Sequence, residues 1–306
     1  MTLTQAFDLF ILDQRLRGNT DKTIKGYQGF IRLFVEYLAA HGVELLASLE
    51  LQHVQQYQLH LDTRKCENKL QPLTRRTVRT YMKHIRIFLV FCYAEGYLTE
   101  PLHLKMKIPR AEKPFIEILT DEEAERLLNA CGTHALGRRD YAIVSLMLDC
   151  GLRLSEVAGI TIRGITEIYV KVTGKGRKER IVPIGTKVRE ALNAYMQVRP
   201  HSQYKQLFLS VHETPLTTSG IVQMLKRLKH RTEIWRLHAH FLRHTFATNF
   251  LLHDLGDIYE LSRILGHADI KTTEGYLQVA SYYKLLTNRT RQTYLDKKAT
   301  SPPSCV

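Results

Sequence analysis

The sequence predicts a mainly α-helical protein with one small antiparallel β-sheet, arranged in two domains. Three observations carry this. Apolar residues recur at helical spacing through most of the 306 residues. A single pair of β-rich runs flanks the glycine-rich stretch Gly174–Arg177. One basic segment marked by Pro109 and Pro114, Lys105–Phe115, interrupts the helical pattern, and each proline biases the preceding residue away from helix. Residues 1–105 then form a helical domain, 106–115 an extended basic linker, and 116–306 a second, mixed domain. Domains of about 100–200 residues are ordinary.

In the first domain, Phe7, Phe10 and Ile11 share a helix face that ends at Gly18. Ile24, Tyr27, Ile31, Phe34, Val35 and Leu38 form a longer face ending at Gly42, and a shorter helix follows over Gln52–Leu61. The fourth helix, about Leu73–Glu95, is the informative one. Arg75, Arg79, Lys83 and Arg86 fall on one side, while Val78, Tyr81, Ile85, Phe88, Leu89 and Cys92 occupy the other. No acid lies between Leu73 and Glu95. A charge run is usually a solvated surface, but a cation stripe without intrahelical partners also suits phosphates or a nucleic-acid groove.

The second domain opens with a capping box, Thr120 to Glu123, and a helix reaching about Ala130. A helix over Arg138–Asp149 closes at Gly151. Glu167–Thr173 and Lys178–Ile184 read as a hairpin around Gly174, Lys175, Gly176 and Arg177. Helices are expected near Lys187–Val198, Thr217–Lys229, Ala239–His253 and Ile258–Leu265. Ser281–Leu295 reads as a further helix, docking on a neighbouring copy or folding back on its own subunit, and SPPSCV reads as a frayed end of a tail that starts at about residue 281.

Composition narrows the function. The chain is 44% hydrophobic and 24% charged, a globular mixture that argues against disorder. No apolar run approaches the roughly 18–20 residues that span a bilayer, and the opening residues lack a cleavable signal pattern. A cytoplasmic protein is expected. The formal net charge of +14 predicts attraction to polyanions, chiefly nucleic acid or an anionic membrane surface. Cys66, Cys92, Cys131, Cys150 and Cys305 include no CxxC pair, so reduced thiols are expected, with neither a disulfide framework nor a zinc knuckle.

Four segments concentrate residues suited to phosphate chemistry. In GLRLSEV, Arg153 follows Gly151 at the start of a helix; its guanidinium can pair bidentately with a phosphate while Glu156 holds it. A plain Arg–Glu surface pair is the alternative. Lys175 sits at a hairpin tip whose glycines permit close approach to a ligand; GKGRK lacks the spacing of a nucleotide-binding P-loop. In HFLRH, His240, Arg243 and His244 share a helix face. The two histidines have metal-ligand spacing, but Phe241 stands where HExxH has glutamate and no third ligand is near, so a phosphate clamp fits better than zinc. His244 is expected to pack with its nitrogens satisfied locally. In LGH, Gly266 ends a helix and exposes His267, nine residues before Tyr276, with Thr272 and Thr273 able to cap the turn that carries the tyrosine. Tyr282 and Tyr283 are its rivals among 15 tyrosines.

The ordered series Arg153 in GLRLSEV, Lys175 in GKGRKER, HFLRH, LGH and Tyr276 resembles the tyrosine recombinase (phage integrase) family, with fitting spacing across nearly all of residues 1–290. In size the chain is similar to the bacterial Xer recombinases and to compact transposon or plasmid resolvases, without the arm-binding domain that some phage integrases carry in front. Gly275, before the tyrosine, departs from the larger residue the family pattern leads one to expect. The resemblance implies a two-domain C-shaped DNA clamp: a helical core-binding domain and a catalytic domain. It implies Tyr276 as a nucleophile forming a 3′-phosphotyrosyl bond, favoured as phenolate by clustered cations, with His240 accepting its proton. Arg153 and Arg243 would grip the nonbridging oxygens, Lys175 would protonate the leaving 5′-oxygen, His267 would donate to a phosphate oxygen, and Glu156 would steady its neighbours. Arg75, Arg79, Lys83 and Arg86 would contact DNA. No cofactor or metal is needed on this reading. The implied partner is double-stranded DNA with inverted-repeat core sites, held on two duplexes by four copies of the chain or with a partner recombinase, and no membrane is involved. The other readings are a type IB topoisomerase, a non-catalytic DNA-binding regulator, and a metal-dependent nuclease; the last lacks an acidic cluster.

Overall fold

The computed structural model describes residues 1–66, 69–110, 116–174 and 178–287. Lys175, residues 111–115 of the expected linker and residues from 288 onward lie outside them. The chain divides into two compact units, Met1–Pro114 and Phe115–Val306.

The first unit holds α1 (Leu3–Leu16), α2 (Asp21–Ala40), α3 (Leu51–Thr63), a short hairpin of β1 (Lys65–Cys66) and β2 (Lys69–Pro72), α4 (Arg75–Ala94) and the single turn α5 (Leu102–Lys105). A reciprocal cap starts α1: the Thr2 hydroxyl accepts from the Gln5 amide (3.1 Å) and the Gln5 side chain accepts from the Thr2 amide (2.9 Å). Thr20 and Thr74 cap α2 and α4 with their hydroxyls. The core is aromatic. Phe10 meets Tyr27, Phe88 and Phe91 edge-on at ring separations of 5.2, 5.7 and 5.4 Å, a geometry that adds to simple burial.

Helix α4 buries Val78, Met82, Ile85, Phe88, Leu89, Phe91 and Cys92. Arg75, Lys83 and Arg86 are exposed on its other side. Arg79 differs from the expected uniform stripe: it is half-buried, and its Nη1 donates to the Pro109 carbonyl at 2.9 Å. That bond pins the segment 106–110 to the first unit. Met106 is buried in the same core and Ile108 packs against it, so this stretch is not a free tether. The prolines and lysines drew attention in the sequence; the apolar residues alternating with them do the anchoring.

The second unit holds α6 (Asp121–Asn129), α7 (Ala135–Asp149), α8 (Leu154–Gly159), β3 (Tyr169–Thr173), β4 (Glu179–Pro183), α9 (Thr186–Met196), α10 (Thr218–Thr232), α11 (Ala239–Leu252), α12 (Ile258–Leu265) and α13 (Lys271–Thr287). The strands pair antiparallel from Tyr169 opposite Pro183 to Thr173 opposite Glu179. Val170, Val172 and Val182 face the core, the alternation that a one-sided sheet requires. Helix α7, buried continuously from Ala142 to Met147, runs through the main core.

Helix α11 serves two cores. Phe241 and Leu242 belong to the main one. Phe246, Ala247, Phe250 and Leu251 join Leu261 and Leu265 of α12 and Tyr276 and Ala280 of α13 in a second. One expectation is corrected at α13. No boundary falls near residue 281; a single helix runs from Lys271 to Thr287, and Tyr276, Val279 and Ala280 continue its buried stripe. Gly275 lies inside this helix with open space where a Cβ would stand, so it causes no break.

Candidate active site

The C-terminus of α12 organises the site. A helix end leaves its last carbonyls without partners, and its partial negative charge attracts cations. Here three successive carbonyls each receive an arginine from a distant part of the chain. Arg180 Nε donates to Ile264 (2.8 Å), Arg243 Nη2 to Leu265 (2.7 Å) and Arg153 Nη2 to Gly266 (3.0 Å). Two glycines with positive φ allow this convergence. A Cβ on Gly266 (φ +63°) would stand 3.0 Å from the Arg180 guanidinium, and one on Gly151 (φ +60°) would stand 2.3 Å from the Phe246 ring. Gly151 in turn gives its carbonyl to Arg243 Nη1 at 2.7 Å.

Glu156, on the first turn of α8 and only 1% exposed, braces two of the arginines. Its carboxylate accepts from the Arg153 amide (2.8 Å) and Arg153 Nη1 (2.9 Å). It also accepts from Arg180 Nη1 (2.6 Å) and Nη2 (3.0 Å). Burial alone would raise this carboxyl, but the hydrogen bonds from Arg180 and Arg153 outweigh it and hold the group below the usual carboxylate range. Arg180 was not singled out in the sequence, where it is one base among several in GKGRKER. The available signal is the strand period: Arg180 shares a face with buried Val182, between exposed Glu179 and Ile181.

Arg243 is 1% exposed. Burial, followed by the neighbouring Arg153, pulls its guanidinium down to about 10, still protonated at neutral pH. The same Nη2 that bonds Leu265 lies 3.0 Å from His267 Nε2. The other ring nitrogen, Nδ1, lies 2.9 Å from the Thr273 hydroxyl. Thr273 therefore does not serve the tyrosine's turn as a cap; it points into the site and is fully buried. Burial and then the charge of Arg243 push the His267 imidazole down to about 4, so it is neutral at physiological pH.

Tyr276 sits on α13 at 4% exposure. Its ring lies nearly parallel to His267 (centroids 6.4 Å apart, 12° between planes) and 5.4 Å from His244. Clustered cations were expected to favour the phenolate. In the protein alone the balance goes the other way: burial raises the phenol above its ordinary value, and Arg243 and then Arg153 offset this only in part. His240 starts the same face of α11, its ring 4.1 Å from that of His244. Burial and then Arg243 hold His240 below the ordinary histidine range, leaving it able to accept a proton. His244 corrects a second expectation. Its Nδ1 is buried without a hydrogen-bond partner, and burial followed by His240 pushes it down to about 4. Among the rivals, Tyr282 is 48% exposed. Tyr283 bonds the Ile118 backbone beside Glu117 and Arg236, away from the three-arginine cluster. Among the described residues, no group of three or more His, Cys, Asp or Glu side chains is placed to hold a metal ion.

Residues 117–282, which include Arg153, Lys175, His240, Arg243, His267 and Tyr276, match the model of the phage integrase family. The chain belongs to that family. Its relatives include the tyrosine recombinase XerC of Oceanobacillus iheyensis, 30% identical over 284 residues that cover 89% of this chain and 90% of that protein. The tyrosine recombinase XerD of Staphylococcus haemolyticus is 31% identical over 275 residues, 86% of this chain and 90% of its own. Among solved structures, the XerA recombinase aligns over 95% of this chain and all of its own at 25% identity and a TM-score of 0.52. A lambda integrase dimer bound to a COC′ core site (TM-score 0.72, 16% identity, 89% and 97% coverage) and a XerH recombinase bound to palindromic difH substrate (0.72, 17%, 90% and 81%) share the fold. This integrase-family chain is a tyrosine recombinase, an enzyme of site-specific DNA recombination.

Proposed function

We propose that this recombinase cuts and rejoins DNA through Tyr276. The carrying observation is that its buried ring stacks on His267, which also contacts Arg243 within the three-arginine cluster at the end of α12. The phenol oxygen bonds to the scissile phosphorus as the bond to the 5′-oxygen breaks. His240 takes the phenol proton and Lys175 supplies one to the leaving oxygen. Arg153 and Arg243 take the nonbridging oxygens, where charge shifts in the transition state. Glu156 and Arg180 keep the arginines in place. A protein with these donors already assembled needs no divalent cation. Wild-type enzyme therefore forms a covalent adduct on a nicked core site at the same rate in EDTA as in magnesium; an adduct that disappears in chelator and returns with metal contradicts this.

DNA enters as an inverted-repeat site, and four copies working on two duplexes, or two pairs with a partner recombinase, complete a strand exchange. Integration, excision and resolution all use this chemistry. In the first domain, Arg75, Lys83 and Arg86 meet phosphates, with Arg79 divided between DNA and Pro109. Arg75→Ala with Lys83→Ala is expected to lower affinity and to reduce the slope of log K against log salt by about 1.8, the release expected for two phosphate contacts. An unchanged slope assigns these side chains to the solvated surface.

A further inference from the structure

We propose that Thr273 is a positioning residue that fixes which ring nitrogen of His267 carries the proton, and so which nitrogen is turned to the reacting phosphate. It deepens the reading of Tyr276 as nucleophile and rests on it for its catalytic consequence. The geometry decides the tautomer. A guanidinium has five N–H donors and no acceptor, so the 3.0 Å contact between Arg243 Nη2 and His267 Nε2 requires a bare Nε2 that accepts. The proton of the neutral ring then lies on Nδ1 and is donated to Thr273 Oγ1 at 2.9 Å. The opposite tautomer would set two N–H donors against each other at Arg243 and leave Nδ1 to accept from Thr273.

This tautomer bears on the chemistry. Through Nε2, His267 first accepts from Arg243. When a phosphate oxygen takes over that Nη2 donor of Arg243, Nε2 is left bare at the phosphate side of the ring. Nδ1–H keeps its bond to Thr273 throughout, so the ring does not rotate during the exchange. Among the described residues, the other charged and titratable groups around His267 are Arg153, Arg180, His240, His244 and Tyr276. Among the described residues in contact with the ring, Thr273 alone offers Nδ1 an acceptor.

Placement gives Thr273 a second consequence. It stands one turn before Tyr276 on α13, fully buried, with its amide bonded to the Ile270 carbonyl at 2.7 Å. The acceptor for His267 and the phenol ring stacked on His267 therefore travel on one helix. Seating α13 sets both together, and displacing it releases both.

The test compares the wild-type chain with Thr273→Val, which keeps the shape and removes the acceptor, and with Thr273→Ser, which restores it. Nitrogen-15 NMR of the histidine rings, assigned with His267→Gln, should show Nδ1 of His267 protonated and Nε2 bare in the wild type. The Val variant should lose that pattern and form adduct on a nicked core site about 10-fold more slowly, as expected when a partner that orients a histidine is removed, with DNA affinity unchanged. Ser should recover both. A wild-type His267 protonated on Nε2, or a Val variant with unchanged nitrogen signals and an unchanged rate, overturns the proposal. If the Val substitution shifts the nitrogen signals while even the wild type forms no adduct, the positioning role stands and the assignment of Tyr276 as nucleophile fails.

Discussion

Tyr276→Phe leaves DNA binding within about twofold of wild type and abolishes the covalent adduct on nicked site substrates. The ring belongs to a closed cluster with Phe246, Phe250, Leu261, Leu265 and Ala280, and phenylalanine fills the same volume, so α13 keeps its seat. Only the oxygen is lost, and a covalent route has no substitute for its nucleophile. Gel-shift titration beside trapping on a nicked duplex separates the two effects. A Phe variant that still becomes trapped would pass the role to Tyr282 or Tyr283, both on the same helix.

Arg243→Lys is expected to slow adduct formation by about 10²–10³-fold, the usual cost of removing one well-placed donor to a developing oxyanion. A lysine ammonium cannot reach Gly151, Leu265 and His267 together, as the guanidinium does with two of its nitrogens. Losing two of these charge-assisted bonds in a site only 1% exposed also costs about 3 kcal/mol of stability, read as a lower urea midpoint at constant slope. Arg153→Lys provides the control. Arg153 is 36% exposed at its side chain, so a comparable rate loss should come with a smaller stability loss. If Arg243→Lys loses stability but keeps its rate, Arg243 is a strut of the α12 terminus and nothing more.

The two domains differ in how plainly they can be read from residues. Helices α2, α4 and α11 were legible because their apolar faces repeat over many turns, and the hairpin of β3 and β4 because valines alternate along it. The continuity of α13 was not: a separate helix was expected from Ser281, whereas one helix packed against α11 and α12 runs from Lys271 to Thr287. Arg153, Glu156, His240, Arg243, His267 and Tyr276 were recognisable from motif order, and the structure brings them into one neighbourhood. Arg180 and Thr273 were missed as partners because their contacts, 84 residues away at Ile264 for one and across a helix cap at His267 for the other, leave no local pattern. The protonation balance at Tyr276 also escaped the sequence. Counting nearby cations favours a phenolate, but the cost of burying that charge is visible only once the surrounding core is known.

Mapping the protein–DNA bond itself reaches furthest. Wild-type enzyme is to be trapped on a nicked core site, digested with protease and nuclease, and the nucleotide-bearing peptide sequenced by mass spectrometry. The expected product carries a 3′-nucleotide on the phenol oxygen of Tyr276, with its release site a free 5′-hydroxyl. A nucleotide found on Tyr282, Tyr283 or any serine, or a cleaved strand with no protein attached, contradicts the mechanism at its centre.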